Sequence, residues 1–73
     1  MKLIILGANG RTGTHVVRFA LDQGAHVTAV VRSPAKVPAI QSDRLKIAIG
    51  NPCDTGFLTP LLRGQDALIS TLG

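Results

Sequence analysis

Three glycines punctuate the front of the chain in the run Gly7-Ala8-Asn9-Gly10-Arg11-Thr12-Gly13. A spacing of three and three suits chemistry carried by backbone rather than side chains. The first glycine permits a tight turn. The second lets the main chain approach a pyrophosphate with no Cβ in the way, and the third lets a following helix pack close to the preceding strand. The free N–H groups and positive dipole end of that helix then face the phosphates. The chemistry this points to is the holding of a dinucleotide, provided that the run sits between a strand and a helix. Without that context the glycines would make only a structural turn.

A second set of residues bears on which dinucleotide. An Asp or Glu after the second strand would accept hydrogen bonds from the adenosine ribose 2′-OH and repel a 2′-phosphate. This chain has Val31-Arg32-Ser33 there. Arg32 can pair bidentately with a 2′-phosphate and Ser33 can donate a further hydrogen bond, while Lys36 and Arg11 add positive charge. The expectation is NADP over NAD. The competing reading makes Arg32 and Lys36 solvated charges on a small basic protein.

Other reactive residue types are sparse. His15 and His26 titrate near neutrality, but His15 falls on the outward side of the first helix. His26 begins a strand at the end of the sheet away from where ligands bind. Asp22, Asp43, Asp54 and Asp66 each stand alone and read as surface or capping residues. Cys53 is the only cysteine, so it cannot form an internal disulfide and reads as an ordinary thiol in a loop.

The elements that must position these residues follow from apolar patterning. Lys2–Leu6 is a continuous apolar run, which predicts a parallel strand buried on both faces. Val16, Val17, Ala20 and Leu21 recur at helical spacing opposite His15, Arg18 and Asp22, predicting a helix over 11–23 that Gly24 stops. The β-branched run His26–Val31 predicts a second strand. Ser33-Pro34 looks like a cap and a first helical position, but Pro38 limits any helix there to about one turn. Leu45–Ile49, closed by Gly50, is a third strand; 55–63 is a short helix ending at Gly64; 67–72 is a last strand.

Strands alternating with helical segments imply right-handed crossovers and a parallel sheet. The fold class is α/β: a three-layer Rossmann-type parallel sheet, βαβαβαβ, with strand order 3-2-1-4. Such a sheet normally continues beyond its fourth strand, whereas this sequence stops at Gly73. The expectation is therefore a truncated or abbreviated domain, residues 1–73 forming the N-terminal dinucleotide-binding part. The last strand would then expose an apolar edge that recruits another chain, predicting a homo-oligomer through the open sheet edge.

Composition excludes several classes. Hydrophobic residues make up 45% of the 73 and charged residues 16%, too apolar and too weakly charged for a disordered segment. The run at 3–6 is far short of the roughly 20 apolar residues of a membrane span. A secretory cleavage pattern is absent, so the cytoplasm is the expected compartment and no membrane partner is expected. The formal net charge is +4, but the basic residues are scattered singly and Trp and Tyr are absent. That argues against nucleic acid and for an anionic small molecule.

Four stretches together carry a resemblance: Gly-Ala-Asn-Gly-Arg-Thr-Gly from Gly7, Val-Arg-Ser-Pro-Ala-Lys from Val31, Gly-Asn-Pro-Cys-Asp from Gly50, and Asp-Ala-Leu-Ile-Ser-Thr-Leu-Gly from Asp66. Over essentially its whole length the chain resembles the atypical short-chain dehydrogenase/reductases of the NmrA-like and flavin-reductase or biliverdin-reductase-B type. The resemblance implies an NAD(P)-binding Rossmann domain of roughly two hundred residues or more, of which this chain would be about the first third. It implies pyrophosphate contacts from Gly7, Asn9, Gly10, Arg11, Thr12 and Gly13, a 2′-phosphate contact from Arg32, and an adenine border at Asn51 and Pro52. Ser70, Thr71, Leu72 and Gly73 match the segment beneath the inner ribose that approaches the nicotinamide, mainly through backbone groups. Where relatives commonly have Gly-Asp, this chain has Gly50-Asn51, which replaces a carboxylate acceptor with an amide oxygen.

Many short-chain reductases use a Tyr and a Lys four residues apart to protonate a substrate carbonyl, and this chain has no Tyr. The substrate-lining residues of the biliverdin-reductase-like branch lie beyond the fourth strand. The expected function is thus the cofactor half of an NADPH-preferring oxidoreductase acting on an unknown small-molecule substrate, with this chain alone not catalytic. The alternatives are a non-catalytic NmrA-like NADP redox sensor that signals through a protein partner, or a fragment with no activity of its own.

Overall fold

The computed structural model describes residues 1–7, 11–33 and 40–71. In chain order the elements are β1 (Lys2–Leu6), α1 (Arg11–Asp22), β2 (His26–Val31), β3 (Leu45–Ile49), α2 (Thr55–Leu62) and β4 (Ala67–Ser70). The helical turn expected from Ser33-Pro34 lies outside the described residues. All three strand pairings are parallel and the sheet order is β3-β2-β1-β4, as the alternation of strands and helices predicts.

The pleat sorts side chains onto two faces. Leu3 and Ile5 of β1 join Val27, Ala29 and Val31 of β2 under Val17, Ala20 and Leu21 of α1. Ile4, Leu6 and Val30 point the other way, against the half-buried Phe57, Leu58 and Leu61 of α2. Ile4 and Ile5 are both fully buried, each contributing roughly 1.5–3 kcal/mol of hydrophobic stabilisation. Truncating either to Ala would cost about 2–5 kcal/mol.

Helix α1 meets the sheet through the stripe read from the sequence. Val17, Ala20 and Leu21 are buried, while His15, Arg18 and Asp22 are exposed. Its end is a Schellman motif: the Gly24 amide donates to the Leu21 carbonyl at 3.0 Å and the Ala25 amide to the Ala20 carbonyl at 3.1 Å. Gly24 at φ 85° supplies the left-handed residue this requires. The Arg44 guanidinium donates to the Leu21 carbonyl at 2.8 Å, placing a cation at the negative end of the helix.

Helix α2 is weaker. Asp54 caps it, its carboxylate accepting from the Gly56 and Phe57 amides at 3.0 and 3.4 Å. None of its residues is buried, and Pro60 interrupts its ladder. It stops one residue before the expected end because Arg63 takes extended backbone at φ −66°, ψ 131°. Strand β4 is likewise shorter than the expected 67–72, ending at Ser70, although the Thr71 amide adds one more bond to the Leu6 carbonyl at 3.0 Å.

Candidate functional site

Because every strand runs the same way, the residues after each strand gather at one end of the sheet. Those are Gly7 after β1, Arg32 and Ser33 after β2, Gly50 and Asn51 after β3, and Thr71 after β4. The order in which strands are added reverses at β1, which has β2 on one side and β4 on the other. In open α/β sheets a ligand crevice forms at such a switch point, outside the carboxyl ends of the strands.

Gly7 leaves β1 at φ 75°, a conformation that disfavours any side chain with a Cβ. Helix α1 begins at Arg11, with Arg11 and Thr12 exposed and Gly13 buried. Burial of Gly13 accords with the close helix-to-strand packing expected of the third glycine. The first turn of α1 carries no acidic residue, so nothing there competes with an anion for the orphan amides and positive dipole end. Asn9, Gly10, Lys36, Leu72 and Gly73 lie outside the described residues.

The other expected contacts have distinct settings. Arg32 is exposed and Ser33 is half-buried. Asn51 is exposed, and its Oδ1 accepts from the Cys53 amide at 2.9 Å, closing a local turn. One lone pair of that oxygen is thereby used, and the other can accept a further hydrogen bond. Pro52 is buried beneath the same loop. Gly50 is needed for a reason other than backbone freedom: a Cβ there would lie 2.6 Å from the Phe57 ring. That ring is the bulkiest group of α2 on its face of the sheet.

One residue does more than the sequence reading assigned to it. The Thr71 hydroxyl lies 2.7 Å from the Leu6 carbonyl and 2.9 Å from the Gly7 carbonyl. A single hydroxyl proton is shared between those acceptors, tying the end of β4 to the start of the glycine turn. A Thr just past an edge strand is the one available sequence signal for this clamp, and it does not reveal the partner. His15 and His26 are exposed, on α1 and at the opposite end of β2. Cys53 is an exposed free thiol. Among the described residues no three of His, Cys, Asp and Glu gather as metal ligands, and no helix is long and apolar enough to cross a membrane.

A parallel sheet in this order, with a glycine turn leading into a helix whose first turn is free of acidic side chains, defines a Rossmann nucleotide-binding domain. A family profile described as NAD(P)H-binding matches residues 7–73. The chain belongs to that NAD(P)H-binding family. It is 36% identical over 69 residues to the photosystem II assembly factor Ycf39 of Synechocystis sp., covering 94% of this chain and 21% of that protein. Among solved structures it resembles a candidate epimerase of Bacteroides thetaiotaomicron at 33% identity and TM-score 0.87, over 99% of this chain and 33% of that one. It also resembles a Rossmann-fold NAD(P)-binding family protein of Shigella flexneri at 29% identity and TM-score 0.86, over 97% of this chain and 36% of that one. The chain thus spans 21% of the length of that curated relative and 33% of the candidate epimerase.

Proposed function

We propose that this chain is a module that holds NADP(H) in preference to NAD(H), and that other protein surface reads its bound state. The turn from Gly7 through Asn9 and Gly10 to Arg11, Thr12 and Gly13 holds the pyrophosphate. Arg32, Ser33 and Lys36 hold the 2′-phosphate, Asn51 and Pro52 border the adenine, and Thr71, Leu72 and Gly73 run beneath the inner ribose. The observation that carries this reading is the start of α1, with Gly7 in left-handed backbone before it, no acidic residue in its first turn and Gly13 buried behind it. When bound, the cofactor supplies a hydride donor or acceptor; this chain's own residues bind and orient it.

A binding role without turnover is favoured by the side chains at hand. Tyr is absent from the chain, and both histidines are exposed away from the carboxyl ends of the strands. The relative named as an assembly factor fits a regulatory role of the NmrA-like kind. A second reading, the cofactor half of an NADPH-dependent oxidoreductase, draws support from a solved relative named as an oxidoreductase, from Lactococcus lactis, at 26% identity. In either case residues 1–73 serve as the N-terminal dinucleotide-binding part of a larger Rossmann domain, in keeping with relatives several times longer. Calorimetry with NADPH, followed by an assay of NADPH oxidation with a panel of carbonyl and flavin acceptors, separates the readings. Saturable binding with no acceptor-dependent oxidation is expected. Steady turnover would replace the first reading with the second, and no binding would remove both.

Apart from the cofactor reading, we propose that the isolated 73-residue chain self-associates. The outer edge of β4 has no partner strand among the described residues, and Leu68 on it is 46% exposed. A second copy pairing there would cover unpaired backbone groups and apolar surface together. Light scattering on the 73-residue chain is expected to give at least twice the monomer mass, and Ile69→Lys to shift it toward monomer. A well-folded monomer at micromolar concentration would contradict the pairing.

A further inference from the structure

At the opposite end of the sheet from the glycine turn lies a cleft of about 390 Å³. Lys2, Arg44, Lys46 and Arg63 line it, half of the eight Lys and Arg residues in the chain, and His26 joins them. These residues are far apart in sequence and are brought together by the pleat. Lys2 has the parity of Ile4 and Leu6, His26 and Thr28 that of Val30, and Lys46 that of Ala48, so all four project on the α2 face. Register completes the grouping, with Lys2 beside His26 and Thr28 beside Lys46. The cleft lies just past the C-terminal end of α2, where Arg63 and Gln65 close its side.

Two features mark this cleft as more than a solvated basic face. Among the described residues the side chains of Lys2, His26, Lys46 and Arg63 make no hydrogen bond or ion pair. Arg44 uses one nitrogen on the Leu21 carbonyl, leaving further donors of its fork. The acidic residues nearby do not neutralise the group. Asp43 is the one carboxylate on the cleft wall, and Asp66 accepts from the Lys2 backbone amide at 2.7 Å. The second feature is Gln65. Its amide nitrogen donates to the Thr28 hydroxyl at 3.3 Å and the Leu61 carbonyl at 3.2 Å, while its Oε1 is buried with no partner among the described residues. A buried acceptor without a donor is costly.

We propose that this cleft is a second ligand site, for a small hydroxylated phosphate ester. The phosphate oxygens accept from Lys2, Lys46, Arg63 and the free donors of Arg44, and a hydroxyl of the same molecule donates to Gln65 Oε1, which is reached when the buried amide turns toward the cleft. Inorganic phosphate keeps a P–OH at neutral pH, but donating it to Oε1 turns that oxygen away from the cations, whereas an ester offers a separate hydroxyl. The site is separate from the dinucleotide end by the length of β1, roughly 13 Å for its four residue steps. It stands on observations independent of the cofactor reading.

The test is a titration of the uniformly ¹⁵N-labelled protein, saturated with NADPH so that the cofactor end is filled, using glycerol 3-phosphate, inorganic phosphate and glycerol in turn. Saturable shifts of the Thr28, Lys46 and Gln65 amides with glycerol 3-phosphate are expected, with at least tenfold weaker binding of phosphate and none of glycerol. Lys46→Gln with Arg63→Gln should weaken glycerol 3-phosphate at least tenfold, whereas Arg18→Gln, on the exposed side of α1 and outside the cleft, should leave it unchanged. Non-saturating shifts reproduced by sodium chloride at equal ionic strength would overturn the site, as would shifts confined to Gly13 and Arg32. The wild-type comparison of the three probes stands even if the double variant does not fold.

Discussion

The two ends of the parallel sheet meet ligands in different ways. At the carboxyl end the groups on offer are mainly backbone: the orphan amides of α1, a left-handed Gly7 and a loop held by its own Asx turn at Asn51. At the amino end they are long side chains, Lys2, Lys46 and Arg63, projecting from strands and a helix end around one cleft. Backbone recognition is rigid and tolerates little change in residue size. Side-chain recognition is additive, salt-sensitive and forgiving of single losses. Mutations should therefore act more sharply at the carboxyl end.

The largest expected effect is that of Gly10→Val. A branched side chain in the turn blocks backbone access to the pyrophosphate, and NADPH affinity is expected to fall by at least ~100-fold while far-UV circular dichroism is unchanged. Parent-like affinity would make the turn structural only. Next is Arg32→Asp, which exchanges a 2′-phosphate donor for a 2′-OH acceptor. Preference is expected to move from NADP to NAD by about 1.5–3 kcal/mol, or roughly 10- to 150-fold. Equal affinities of the parent for both cofactors would remove the specificity claim and leave the binding claim standing.

Smaller effects sharpen the account of how the carboxyl end is held in place. Gly50→Ala forces a Cβ against the Phe57 ring at 2.6 Å, and thermal or urea unfolding should register a loss of about 1–3 kcal/mol. An unchanged midpoint would mean that α2 shifts freely over its face. Thr71→Val keeps the shape and removes the hydroxyl shared by Leu6 and Gly7. It should cost about 0.5–1.5 kcal/mol in stability and weaken NADPH binding up to about tenfold. A variant losing stability but no affinity would make the clamp merely structural.

The same contrast explains how much was legible in the sequence. The carboxyl end declares itself because its signal is local: glycines three apart, between an apolar run and a helical stripe. Strand order followed from the alternation of elements, and the α1 end from Gly24. Element ends were less legible where single residues decide them, as with Arg63 leaving the helix and Ser70 ending β4. The expected site residues that are described do lie after the strand ends, but the Thr71 clamp depended on a partner 65 residues away. The amino-end cleft was hidden altogether. Lys2, His26, Lys46 and Arg63 read singly as scattered charges, and only parity and register place them together.

The most direct test of the central claim follows backbone amide resonances during an NADPH titration of the labelled protein. The account predicts saturable shifts at Gly7, Arg11, Thr12, Gly13, Arg32 and Asn51, with Lys46 and Gln65 unmoved. No saturable shift, or shifts gathered around Lys46 and Gln65 instead, would contradict a dinucleotide site at the glycine turn.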